Sequence, residues 1–228
     1  MSKRNKKGRD INGVLILDKA TGHSSNSALQ DIKRLFDANK AGHTGSLDPL
    51  ASGLLPICLG QSTKVAQFLL NDDKRYFVRG KLGQISKTGD SEGQLNEYGS
   101  TKHIDEIVLK NTLKDFVGEI SQVPPMYSAL KVNGKPLYKF AREGINIVRK
   151  MRTINIYEII LINFTHDTIS LKVTCGRGTY IRSLAKDIAA QLNTVGHLAK
   201  LIRTRIGEFD EKSCIELKDF PKWLSARA

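Results

Sequence analysis

Cysteine is scarce and poorly placed for chemistry. The chain has three, Cys58, Cys175 and Cys214, an odd number at wide spacing with no CxxC pair. That argues against a disulfide framework and against a thiolate zinc site, and each reads as a small buried hydrophobe. The five histidines are scattered, with no HxxxH pair. Apolar runs such as Val14-Leu15-Ile16-Leu17 and Ile159-Ile160-Leu161-Ile162 reach four residues, far short of the roughly 20 that span a bilayer. The basic start, MSKRNKKGRD, precedes an apolar stretch cut at Asp18 with no small-residue cleavage site, which speaks against export. These absences predict a reduced, cytoplasmic, metal-free protein.

Acidic residues are also in deficit. Against 36 Lys+Arg stand 23 Asp+Glu, a net charge of +13 over 228 residues. The excess is uneven: Lys131 to Arg152 holds seven basic residues and one acid, Lys172 to Arg205 seven against Asp187 alone, whereas Thr88 to Glu119 holds seven acids and three bases. A positive face of this kind suits a phosphate backbone, although Lys-rich surfaces also serve plain solubility. No strongly amphipathic basic helix argues for a membrane surface.

Local patterns give the frame. Gly13 to Leu17 predicts a buried strand. Ser24 or Ser25 can cap a helix carrying Ala28, Leu29, Ile32, Leu35 and Phe36. Residues 40–53 read as a loop and Leu54 to Leu59 as a strand, followed by a helix capped by Ser62 and running through Val65, Phe68 and Leu69. Tyr76, Val78, Gly80 and Leu82 alternate as in a half-buried strand. Thr88 to Gly99 reads as polar loop and Ile104 to Val117 as a helix with Gly118 beyond its end. Asn133-Gly134 signals a hairpin, and Pro136 to Arg142 one or two helical turns. Residues 153–164 and 168–175 form a long hairpin, Thr179 to Leu192 a helix, and Leu198 to Ile206 a final strand. The expected fold class is α+β, with a mixed, mainly antiparallel sheet flanked by helices and loops. A basic, disordered arm is expected over residues 1–10 and one domain over 11–228.

Three segments can carry chemistry. In Gly42-His43-Thr44-Gly45-Ser46-Leu47-Asp48-Pro49-Leu50-Ala51-Ser52-Gly53, three glycines and a proline shape the backbone around one carboxylate in apolar surroundings. Such a carboxylate invites a cationic partner, although Asp-Pro is also a common turn. No Gly-Lys-Ser/Thr follows, so the segment is no P-loop. Lys74-Arg75-Tyr76 offers an aromatic face for a base and a hydroxyl for a proton, or simply a core tyrosine. Gly176-Arg177-Gly178-Thr179-Tyr180-Ile181-Arg182 joins strand to helix. Its Arg182 can reach a buried carboxylate or remain solvated, and the missing last glycine of GxGxxG weakens a dinucleotide reading.

Together with Pro125-Met126-Tyr127-Ser128-Ala129-Leu130-Lys131, these segments, in this order and from about Gly13 to Gly207, resemble the TruB family, the bacterial tRNA pseudouridine synthases that modify uridine 55 of the T loop. The resemblance implies the pseudouridine synthase fold with an RNA cleft across its sheet and an RNA-gripping insertion at about 124–152. It implies isomerisation of uridine without cofactor or metal. Asp48 would be the nucleophile, attacking C6 of the base or C1′ of the sugar, or driving elimination to a glycal. Tyr76 would stack on the flipped base and help remove the C5 proton, and Arg182 would pair with Asp48. Tyr180 and Leu201 would line the base pocket, and His43 and Lys19 would meet the displaced nucleotides or the backbone. The expected partner is the tRNA T stem-loop, bound by a monomer with its target base flipped out. Three departures stand out: Ala20 replaces a usual proline, Lys87 replaces a usual acid, and no C-terminal PUA domain is expected. The competing readings are an RNA-folding chaperone of the same fold and a synthase acting on another RNA.

Overall fold

A computed structural model describes residues 8–220. In chain order its elements are β1 (Gly13–Lys19), α1 (Ser25–Leu35), β2 (Ala41–His43), β3 (Ser52–Leu59), α2 (Ala66–Asn71), β4 (Lys74–Leu82), β5 (Gln84–Ser86) and β6 (Leu95–Tyr98). They continue as α3 (Glu106–Lys114), β7 (Gly118–Gln122), β8 (Lys131–Val132), β9 (Lys135–Pro136), α4 (Leu137–Arg142), β10 (Arg152–Thr165) and β11 (Thr168–Cys175). The last are α5 (Ile181–Gln191), β12 (Gly196–Ile206), β13 (Phe209–Asp210) and β14 (Ile215–Glu216). The chain divides into two compact units. Among the described residues, one comprises 8–75 and 202–220, the other Tyr76–Leu201. Among the described residues no helix is long and apolar enough to cross a membrane.

In the first unit, β1 and β3 pair antiparallel from Gly13↔Leu59 to Lys19↔Gly53. β14 joins β1 in parallel, β2 lies antiparallel on β3, and β12 meets β3 in parallel at Ile202↔Ser52 and Arg203↔Gly53. α1 begins where the Ser24 hydroxyl accepts the Ser27 N–H, which satisfies one of the orphan donors of a helix start. Its Ala28, Leu29 and Ile32, at helical spacing, pack with Leu15, Leu17, Leu55, Ile57, Leu59 and Phe220 into one core. Ile16, Leu54 and Ile206 form a second cluster, because strand side chains alternate between faces.

In the second unit, β10 and β11 form the long hairpin and β7 adds antiparallel to the start of β10, Arg152↔Gln122 to Ile156↔Gly118. β4 lies beside β11. α5 buries most of its length, including Leu184, Ala185, Ile188 and Ala189. In the β8–β9 hairpin, Asn133 and Gly134 both take positive φ, as an Asn-Gly turn requires.

Several expectations are corrected. Residues 40–53 are not all loop: Ala41–His43 is a strand, because the edge of β3 offers Ile57–Leu59 as partners. Residues 88–99 end in β6, which pairs with β5. α3 starts later than Ile104 because the Asp105 carboxylate caps it at the Val108 N–H, and Gly118 opens β7. Ser62 caps nothing; it lies in a 3-10 turn ahead of α2, and Phe68 is exposed. Of the basic arm, residues 1–7 lie outside the described residues, while Arg9 is bridged to Ala38.

The first core makes a direct stability test. Leu55 is fully buried, so Leu55→Ala should cost about 2–5 kcal/mol in urea unfolding. Val148→Ala, at a side chain 97% exposed, should stay within about 0.5 kcal/mol.

Candidate active site

The first unit holds Lys19, His43 and Asp48. The chain leaves β2 at His43, turns through Thr44 to Ala51 and enters β3. Leu47 and Ala51 point into the interior, Ser46 and Pro49 are exposed, and Asp48 is half-buried between them. Backbone groups hold this turn from several sides. The Ser25 hydroxyl, at the start of α1, donates to the Leu47 carbonyl at 2.9 Å and accepts the Leu47 N–H at 2.7 Å. The Gly22 N–H donates to the Pro49 carbonyl at 2.8 Å, and the Ala51 N–H closes a turn onto the Asp48 carbonyl at 3.0 Å. The result is a carboxylate on a fixed backbone, which is what a nucleophile needs to meet its target in a reactive geometry.

Lys19 is 1% exposed; its ammonium donates to the carbonyls of Ala20 and His23 at 2.9 and 2.6 Å. It ties the turn between β1 and α1, whose Gly22 in turn supports Pro49. His43 Nδ1 and Thr44 Oγ1 are buried without a hydrogen-bond partner. A buried polar atom left this way is costly, so the pair marks a position suited to a polar ligand. Burial, and secondarily the Arg203 charge, hold the His43 imidazole below its ordinary pKa of 6.5.

The second unit holds Tyr76, Tyr180, Arg182 and Leu201. Tyr76 is buried at the start of this unit's part of β4 and Leu201 is buried on β12. Tyr180 precedes α5, and the Gln122 side chain clamps its backbone: Tyr180 N–H donates to Gln122 Oε1 at 2.8 Å, and Gln122 Nε2 donates back to the Tyr180 carbonyl at 3.1 Å. Arg182, in the first turn of α5, is 6% exposed. It donates to the Thr88 carbonyl at 3.1 Å and the Tyr127 carbonyl at 2.6 Å. Its Nε lies 3.7 Å from Asp90 Oδ2. Asp90 is itself buried and accepts from the Thr88 hydroxyl and the Glu92 N–H through Oδ1.

Sequence reasoning missed Asp90. Nothing local marks it beyond a lone carboxylate after Gly89, and its partner lies 92 positions along the chain. It also counted Arg203 only as one cation of the basic 172–205 stretch, whereas burial removes it from the solvent-facing charge. A cavity of about 430 Å³ in this unit is lined by Lys87, Arg149, Arg182, Lys186 and Asp187 among others. Arg149 Nε is buried there without a partner, and four cationic side chains against the one carboxylate of Asp187 make the lining predominantly cationic.

The depressed His43 pKa sets a pH dependence. The folded state favours the neutral ring, so its contribution to stability is complete above the ordinary value of 6.5 and is lost as pH falls through the lower folded value. NMR titration should place the His43 midpoint below 6.5, and His43→Gln should remove that part of the acid-side loss in urea unfolding between pH 7 and 5.

Similarity to known proteins covers most of the chain. The N-terminal domain of the TruB family pseudouridylate synthases matches residues 33–181, and the tRNA pseudouridylate synthase B C-terminal domain matches residues 182–227. A protein of Saccharophagus degradans named tRNA pseudouridine synthase B is 48% identical over 222 residues, 96% of this chain and 71% of its own length. One of the same name from Actinobacillus pleuropneumoniae is 48% identical over 219 residues, covering 96% and 72%. Among solved structures, a Cbf5-Nop10-Gar1 complex contains a chain superposing with TM-score 0.73 at 30% identity over 96% of this chain. An archaeal box H/ACA sRNP Nop10-Cbf5 complex gives 0.71 at 27% identity over all of it. This chain spans 57% and 63% of those two. The loop of Asp48 and the strand of Tyr76 fall within the first family match, and Arg182 opens the second: the chain belongs to the TruB family of pseudouridylate synthases.

Proposed function

We infer that this protein isomerises uridine to pseudouridine in tRNA, at position 55 of the T loop, with Asp48 as the nucleophile. The observation that carries the reading is the backbone-clamped turn that presents a single carboxylate between the buried Leu47 and Ala51. The reaction breaks the N1–C1′ bond, turns the detached base and joins C5 to C1′. A carboxylate can serve it without redox chemistry by forming and later releasing a covalent bond. The relatives named tRNA pseudouridine synthase B support tRNA as the substrate, and the family resemblance supports the T loop.

The other residues take roles consistent with their environments. Tyr76 supplies an aromatic face for the flipped uracil and a hydroxyl for the C5 proton. Tyr180 and Leu201 contribute walls of the base pocket. Arg182, already desolvated, supplies a fixed guanidinium for charge that develops on the reacting groups. His43, with its unpartnered Nδ1, is suited to a nucleotide donor or acceptor. Lys19 acts through the turn that its ammonium holds. The cationic cavity around Lys87, Arg149 and Lys186 fits a backbone phosphate, and exposed Lys131, Lys139, Arg142, Lys150 and Arg152 extend the same charge along the 124–152 segment. The expected acting form is a monomer.

Release of tritium from tRNA labelled at C5 of uridine is the test. Asp48→Asn should abolish release while tRNA affinity stays near wild type. Full release by the variant would exclude Asp48 as the nucleophile.

A further inference from the structure

We propose that Arg203 is a positioning residue for Asp48, its guanidinium tying the chain before the carboxylate to the chain after it. The proposal rests on the reading of Asp48 as nucleophile. Arg203 Nε donates to the Leu54 carbonyl at 2.7 Å and Nη2 to the Gly45 carbonyl at 2.8 Å. Gly45 stands three residues before Asp48 and Leu54 six after it, so one planar group joins the two stems of the loop.

The backbone is built for this contact. At the Arg203↔Gly53 register of β12 on β3, a Cβ on Gly53 would fall 2.2 Å from the Arg203 carbonyl oxygen, and Gly53 has φ +98°. Only glycine admits both the approach and the conformation. The arginine side chain then lies under the loop, 1% exposed. At that burial it is not a phosphate contact. A guanidinium donates along two fixed directions, which an ammonium on a flexible stem cannot reproduce. Burying a charge is expensive, and neutral packing would hold two strands together at lower cost. The arrangement is accounted for when the position of the loop itself matters. A displacement of about 1 Å at a reacting group can cost on the order of 100-fold in rate.

The test combines Arg203→Lys, which keeps the charge and the stem, with Gly45→Ala, which disturbs the same tie from the loop. A Cβ on Gly45 would stand 3.3 Å from Arg203 Nη1, at φ +65°. Single-turnover pseudouridine formation and tRNA affinity are measured for wild type, both single variants and the double variant, well below their melting temperatures. Each single variant should lose about 100-fold in rate with affinity little changed, and the double variant should lose far less than the product of the two, as residues acting through one contact do. The role is overturned by a wild-type rate in Arg203→Lys, by affinity falling in step with rate, or by losses that multiply. If Arg203→Lys does not fold, Gly45→Ala decides alone: rate must fall with affinity intact, and an unchanged rate overturns the proposal. Asp48→Asn is run alongside. If it is inactive while Arg203→Lys is active, only the role of Arg203 fails; if Asp48→Asn is active, the reading beneath it fails.

Discussion

Burying the flanks of residues 44–53 takes their peptide groups away from water, and each must then find a partner inside the protein. The first unit is organised around that constraint. The Ser25 hydroxyl answers both polar groups of Leu47, the Gly22 N–H answers Pro49, and Arg203 answers Gly45 and Leu54. Each partner arrives from a different part of the chain: the cap region of α1, the turn that Lys19 holds, and β12. The helix packing that buries Ala28, Leu29 and Ile32 therefore also sets where Asp48 stands.

The second unit meets a related constraint with charge. A guanidinium as buried as that of Arg182 is tolerated only when its donors are occupied and a counter-charge is near. The Thr88 and Tyr127 carbonyls and the Asp90 carboxylate provide this. Asp90 is in turn fixed by its own loop and by the bridge to Leu198 on β12. The segment around Asp90 is thus a cradle for one side chain of α5. Loops that carry function are commonly held in this way by the regular elements around them.

The parts of this architecture with local causes were legible in the sequence. Ser24 ahead of Ala28, Leu29 and Ile32 marks α1, Asn133-Gly134 marks the small hairpin, and the alternation from Tyr76 to Leu82 marks β4. β2, β6 and β7 were not legible, because their strand character comes from pairing with residues 57–59, 84–86 and 152–156 and not from their own composition. The charge pattern misled at Arg203 for the same reason: composition counts cations but does not show which are internal. Asp48 stood out because glycines and leucines surround it. Asp90 did not, because its meaning depends on a partner on a distant helix.

Mapping pseudouridine in total tRNA from cells with this protein deleted, restored as wild type, or restored as Asp48→Asn, tests the account most directly. Loss of the modification at T-loop position 55 on deletion, its return with wild type and its continued absence with Asp48→Asn are expected. Unchanged modification at that position on deletion, or its return with Asp48→Asn, would contradict the account.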